Sequence, residues 1–307
     1  MAGRSHDDAA AHSPGSVELN RDSDFLAHRG LVFAIAYDIT GTVSDAEDVV
    51  QETYLRFAAV PGQVDNPRAY LARTAARQAL NAVRSAARRR EDYIGDWLPE
   101  PLRTGPGGGE SSDPQVAALT AAEVSTAMLV LMQNLSGPER AAFLLREVFG
   151  FSYSEVAAAL ESSEAAARQT VHRARERVRA GTPRKQPEKS EHRAAVERFL
   201  EAAMTGQVQA LLDVLAPDVV LVSDGGGKVS AARKPVRGPE RVAALLLGLA
   251  GKYSAGAVPE FIELNGLPAV AFREGGTVTT VFQASSEGGR ITGVYAMRNP
   301  DKLLRLQ

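Results

Sequence analysis

The chain has 307 residues, 44% of them hydrophobic and 23% charged, with no cysteine, which is enough length for more than one hydrophobic core. This composition excludes a disulfide scaffold, thiol chemistry, a Cys-type zinc protein and a wholly disordered chain. The 35 Lys+Arg against 37 Asp+Glu argue, taken alone, against a nucleic-acid binder, but the charges are clustered: Arg68–Arg90 holds seven arginines and no acid, Arg168–Lys185 seven bases against one acid, and Asp38–Glu52 five acids and no base.

Residues 1–22 are polar and aperiodic, lack the apolar core of a signal peptide, and read as a disordered tail. Asp24–Ile39 carries a helical apolar pattern that Gly41 ends. Ser44-Asp-Ala-Glu47 reads as a capping box opening a helix whose buried stripe is Ala46, Val49, Val50, Thr53 and Phe57. Asn66-Pro67 caps a long Arg/Ala helix to about Arg90, so residues 23–95 form one all-helical unit. Residues 96–114, containing Trp97-Leu-Pro-Glu-Pro101 and Gly105-Pro-Gly-Gly-Gly109, read as a linker. A helix over 115–134 follows, then helices announced by Ser136, Ser152 and Ser162-Ser163. The last two have helix-turn-helix spacing, giving a second all-α unit over 115–182. After a charged linker at 183–188, residues 189–307 carry helices at 190–205, 208–215 and 239–249. An apolar alternation at 219–222 and four strand-like runs at 258–264, 269–273, 278–284 and 291–298 complete an α+β domain, with a curved antiparallel sheet expected. No apolar run approaches the roughly 18 residues of a membrane span, so a cytoplasmic protein is expected.

In the helix from Glu164, Ala167, Val171, Ala174 and Val178 mark the buried stripe and leave Arg168, Gln169, His172 and Arg173 outward. Arg and Gln there suit base edges, with Ser163 before them and Arg175 beyond suiting phosphates. The helix 67–90 repeats the logic with Arg68, Arg73, Arg77, Arg84 and Arg88, beside Asn66, Tyr70 and Asn81. On the acidic helix, Asp45, Asp48, Gln51 and Glu52 form either a solvated face or a face for a basic protein partner.

Asp45-Ala-Glu-Asp-Val-Val-Gln-Glu-Thr-Tyr-Leu-Arg56 resembles the core-binding helix of region 2 in sigma-70 family initiation factors. The stretch 66–90 resembles the adjoining −10 reader, and 135–179 resembles region 4, the −35 reader. Trp97-Leu-Pro-Glu-Pro101, Asp224-Gly-Gly-Gly-Lys228 and Asn299-Pro-Asp-Lys-Leu303 resemble the signatures of extracytoplasmic-function (ECF) sigma factors with a fused SnoaL-like domain. The resemblance implies partners: the polymerase β′ clamp for Asp45, Asp48, Gln51 and Glu52, the β flap, and promoter DNA. It further implies a monomer that needs no separate anti-sigma factor, because the fused α+β cone packs on the sigma regions. Trp97, Pro99, Glu100, Asp224, Gly225, Gly226, Gly227, Lys228, Asn299, Asp301 and Lys302 would make those contacts.

Asp224 and Lys228 flank three glycines, a spacing that suits a tight turn with an ion pair across it. All five histidines precede the sheet, leaving Asp218, Asp224, Glu260, Glu263 and Tyr295 as candidate acids or bases for SnoaL-type chemistry. No catalytic residue, metal or cofactor is expected. Two other readings stay open, a ligand-sensing helix-turn-helix regulator and a SnoaL-type enzyme with a DNA-binding attachment. The acidic segment favours the sigma reading, since the others give it no partner.

Overall fold

The computed structural model describes residues 14–91, 93–104, 124–181, 189–253 and 256–307. Helix α1 (Pro14–Thr40) starts well before the expected Asp24 and takes in part of the expected tail. Its early turns are held by the end of the next helix. Arg21 donates to the carbonyls of Ala58 and Gly62, Tyr54 donates to Asp22 (3.0 Å), and Phe25 and Tyr54 meet with ring centroids 4.9 Å apart. These contacts leave no apolar periodicity in the sequence before Phe25.

Helix α2 (Val43–Ala58) buries the expected stripe, with Val43 added. Its cap is Thr42 rather than Ser44: the Thr42 hydroxyl accepts from the Asp45 amide (3.3 Å) and donates to the Asp45 carboxylate (2.6 Å). Gly41, at φ +77°, turns the chain out of α1 while its amide donates to Tyr37 O (2.7 Å). Helix α3 (Pro67–Glu91) opens on Asn66, whose side chain accepts from Ala69 N (3.0 Å). It buries Leu71, Ala72, Ala75, Ala76, Ala79 and Leu80, and the alanines let α1 and α3 approach closely.

The second helical unit comprises α4 (Thr126–Met132), α5 (Gly137–Phe143) running into a π-helical turn (Leu144–Val148), α6 (Tyr153–Ala159) and α7 (Glu164–Gly181). Both capping boxes, Ser136 with Glu139 and Ser152 with Glu155, are formed. Ala167, Val171, Ala174 and Val178 are buried as the spacing predicts. The start of the helix expected from 115 and the linker 183–188 lie outside the described residues. The two helical units share one apolar core running from Phe25 to Val178. Arg140 pins them together, donating from a buried position to Ile39 O (2.8 Å) and Met132 O (3.1 Å).

The C-terminal unit contains α8 (Lys189–Thr205), α9 (Val208–Val214), β1 (Leu215–Asp224), β2 (Val236–Arg237), α10 (Pro239–Tyr253), β3 (Ala257–Leu264), β4 (Leu267–Glu274), β5 (Thr277–Glu287), β6 (Arg290–Met297) and α11 (Pro300–Leu303). The sheet order is β2-β1-β6-β5-β4-β3. The expected antiparallel sheet is in fact mixed, because the meander β3–β6 ends beside β1 and pairs with it in parallel. Register shifts at Phe272/Arg273 and Ser285/Ser286 bend it. Both faces are apolar: Val219, Leu221, Val270 and Val294 meet the helices, while Ala269, Ala271, Val281 and Met297 meet Leu98, Leu303 and Leu306. The unit's own terminal residues Leu303 and Leu306 cover that second face together with the linker residue Leu98. Among the described residues no helix is long and apolar enough to cross a membrane.

Candidate nucleic-acid interface and interdomain site

On α7, Arg168, Gln169, His172 and Arg173 are exposed together, as the sequence predicts. Their neighbours are not loose, however. Arg168 bonds Glu164 (2.5 Å) and lies 4.2 Å from the centre of the Tyr153 ring, Arg175 bonds Glu147 (2.6 Å), and Arg177 and Arg173 approach Glu139 at 2.7 and 3.9 Å. The exposed Arg168–Glu164 pair contributes about 0–1 kcal/mol, so a phosphate can displace that acid, whereas Glu139 is buried in its capping box. Ser163 caps α7, its hydroxyl accepting from Ala166 N (3.2 Å).

The expectation of unpaired arginines along α3 is corrected at two positions. Arg68 donates to Phe149 O (2.9 Å), and Arg77 donates to Ala158 O (2.7 Å) and meets Glu161 (3.3 Å). Those partners belong to the second helical unit and are more than 70 residues away, so the local charge count could not register them. Arg73 lies 5.3 Å from the centre of the Tyr70 ring, and Asn81 and Arg84 are exposed. The side chain of Arg88 lies outside the described residues.

On α2, Asp48 and Gln51 are exposed, Glu52 pairs with Arg56 (2.7 Å), and Asp45 is engaged in the cap. Leu55, one turn beyond Gln51 and 61% exposed, puts an apolar side chain on the acidic stripe. The sequence signal was present in the i, i+3, i+4, i+7 run from Asp48 to Leu55.

The three short motifs meet at one place. Asp224 is fully buried: one oxygen accepts from Leu98 N (2.8 Å) and Lys302 Nζ (2.7 Å), the other from Tyr93 OH (2.5 Å) and Gly226 N (3.0 Å). Lys302 also donates to Leu98 O and sits 4.0 Å from the centre of the Trp97 ring. Asn299 donates to Tyr93 OH (2.9 Å) and accepts from Asp301 N (3.1 Å). Gly226, at φ +61°, backs onto the Asn299 amide, where a Cβ would overlap it. Gly225 is buried beneath this turn and Gly227 is exposed. The ion pair expected between Asp224 and Lys228 is absent. Lys228 instead reaches outward to Asp301 (2.6 Å), because Asp224 turns inward to the linker.

The linker's other side grips the first unit. Pro99 and Glu100 are buried, and the Glu100 carboxylate accepts from Val43 N (2.8 Å), capping α2 at its positive end. Burial pushes the Glu100 carboxyl up, against the Val43 bond and the nearby Arg305 and Lys302. Trp97 lies against Gly41: a Cβ there would fall 2.5 Å from Cη2 of the indole. Gly41→Ala is therefore expected to cost about 2–3 kcal/mol, from left-handed strain plus overpacking, measurable by urea denaturation. At the chain's end, Arg305 bonds Glu47 on α2 (2.6 Å) and lies 3.7 Å from Glu100.

Residues 25–89 match the Sigma-70 region 2 family and residues 125–178 the Sigma-70, region 4 family. The ECF RNA polymerase sigma factor SigJ of Mycobacterium tuberculosis is 36% identical over 297 residues, spanning 91% of this chain and 92% of that protein. The chain belongs to the ECF sigma factors. A probable ECF sigma factor of the same organism, SigI, is 30% identical over 281 residues, covering 90% of this chain and 92% of its own length. The crystal structure of M. tuberculosis SigJ superposes with a TM-score of 0.74 and 31% identity, over 92% of this chain and 98% of that one.

Asn265 is another residue of this sigma factor that sequence reasoning missed. At φ +49° it begins the Asn265-Gly266 turn of the β3–β4 hairpin, a signature legible in the sequence. Its side chain leaves the turn to donate to Tyr37 OH in region 2 (2.7 Å) and to accept from Leu102 N of the linker (3.3 Å) and the Thr126 hydroxyl at the start of region 4 (3.2 Å). Burial holds the Tyr37 hydroxyl well above the usual range of a phenol, and it donates to Glu100 O (2.6 Å).

The C-terminal unit holds a solvent-open pocket of about 210 Å³ whose walls include Phe199, Leu246, Phe272 and Phe282, with Glu274 and Arg298 among its polar groups. Of the candidate acids and bases, Glu260 pairs with Arg273 (2.7 Å) and Arg103 (3.3 Å), Glu263 accepts from the Thr104 hydroxyl (3.1 Å), and none lines this pocket. His192 precedes the sheet in the chain, as the sequence shows, yet is buried at the start of α8 with Nδ1 2.7 Å from the Ser286 hydroxyl of β5. Burial lowers its pKa below the ordinary 6.5. The unfolded chain therefore takes up a proton on acidification before the folded one does. Stability is expected to fall as pH drops below about 6.5, by up to about 1.4 kcal/mol per pH unit, until the folded pKa is reached. Urea midpoints across pH 5–7 should lose this component of their slope in His192→Leu.

Proposed function

We propose that this ECF factor docks on core RNA polymerase through the outer face of α2, reads the −10 element with α3 and the −35 element with α7, and has its activity set by the C-terminal domain. The observation that carries this reading is the α2 surface. Its outer stripe joins the carboxylate of Asp48 to exposed Leu55, an apolar anchor with an acidic rim, while its buried stripe is complete without them. The regulatory part rests on two contacts: Glu100 caps α2, and Arg305 holds Glu47 beside the proposed docking stripe. Both tie that helix to the linker and the C-terminal end, so a change in the fused domain alters how α2 is presented. The protein works in the cytoplasm with polymerase and needs no bond-making step of its own.

The double substitution Asp48→Lys with Leu55→Glu tests the docking face. Both side chains are exposed and leave the core unchanged. Affinity for core polymerase should drop by about tenfold or more, equivalent to about 1.4 kcal/mol, with matching loss of run-off transcription. Unchanged affinity would remove α2 from the polymerase interface. A gel shift with and without core enzyme separates this reading from a polymerase-independent helix-turn-helix regulator.

A further inference from the structure

Arg68 and Arg77 lie on α3, the helix placed at the −10 element, yet both are turned onto the helix-turn-helix. Arg68 donates to Phe149 O (2.9 Å) and lies 4.3 Å from the centre of the Phe151 ring, gripping the loop that leads into α6. Arg77 donates to Ala158 O (2.7 Å) and Ala159 O (3.4 Å) and meets Glu161 (3.3 Å), gripping the other end of α6 and the turn into α7. The last carbonyls of a helix have no partner within it and carry the negative end of its dipole, so a guanidinium there makes a charge-assisted cap. Glu161 adds a carboxylate from a left-handed backbone at φ +52°. Farther along α3 the contact changes character: Gly137 of α5 packs on Leu80 and Val83. The clasp is thus confined to the helix-turn-helix end of the interface.

We propose that Arg68 and Arg77 form an intramolecular clasp that closes region 2 on region 4 in the free protein, and that they act as positioning residues for the helix-turn-helix before any contact with DNA. A guanidinium turned onto α6 is drawn away from a promoter phosphate. Nucleic acid on this part of α3 and closure therefore compete, and each weakens the other by the same factor. The fused domain need not cover Arg68 and Arg77 to keep them from DNA, since region 4 already engages them. The consequence for promoter access rests on the −10 role proposed above, whereas the closure itself does not.

The chain has no cysteine, so Gln63→Cys and Ala180→Cys, both exposed, place two labels in the full-length protein, one before α3 and one at the end of α7. The distance distribution of the free protein is expected to shift to longer values in Arg68→Ala/Arg77→Ala. Glu161→Gly, which suits the left-handed turn and removes the side chain with its carboxylate, should shift it in the same direction by less. This second variant decides the matter should the first fail to fold. Distributions that coincide with the parent's in the folded variants would overturn the clasp, whatever their effect on promoter binding.

Discussion

Asp224→Ala should unfasten the linker from the C-terminal domain and cost about 3–5 kcal/mol, the scale expected when one member of a buried ion pair is removed. Four donors converge on this carboxylate, and Lys302, only 8% exposed, would lose its ion-pair partner while keeping its charge beside the Tyr93 and Trp97 rings. Replacing Lys302 with Met in the same chain should recover part of the loss, because the uncompensated charge disappears with it. The protein's one tryptophan reports the event directly. Trp97 stands between Lys302 and Gly41, so release should shift its emission to the red before global unfolding. Unchanged emission and unchanged denaturation midpoints in Asp224→Ala would mean that this junction does not hold the linker. Under the proposed function, release also uncouples the C-terminal domain from the linker that caps α2 through Glu100, and transcription should change together with the emission.

What the sequence reveals about this protein depends on how far apart the interacting residues lie. The serine caps at 136, 152 and 163, the stripes of α2 and α7, and the turn at Gly41 are set within a few residues, and the periodicity exposes them. Trp97 was singled out only through the resemblance, as one of the contacts to the fused domain. Its seat was not legible, since only the fold shows that Gly41 leaves room for the ring. Spacing alone paired Asp224 with Lys228, four residues on, while the actual partner Lys302 is 78 residues away. Arg68 and Arg77 misled for the same reason, their acceptors lying 81 residues downstream. The parallel pairing of β1 with β6 closes the sheet across the whole domain and leaves no local mark.

Asn265→Gly should be the most informative change at the interdomain junction, because glycine adopts the same left-handed turn and the substitution therefore isolates the side chain. Its amide serves three segments at once. Without it, Leu102 N loses its side-chain acceptor and the buried Tyr37 hydroxyl loses its donor, while Thr126 keeps its bond to Gln283 (2.6 Å). Leu102 N is left unsatisfied while the Tyr37 hydroxyl keeps its bond to Glu100 O, so the expected cost is about 1–3 kcal/mol. Asn265→Ala should cost about 1 kcal/mol more, since it adds strain at φ +49°. Tyr37→Phe removes the same bond from the other side, so the two substitutions combined should cost less than their sum. Loss of coupling should also separate denaturation into two transitions, the C-terminal domain apart from the shared core of regions 2 and 4. A single transition at the parent midpoint would show that the regions are held together without Asn265, leaving the Asp224 junction and the Arg305 contact to carry the coupling.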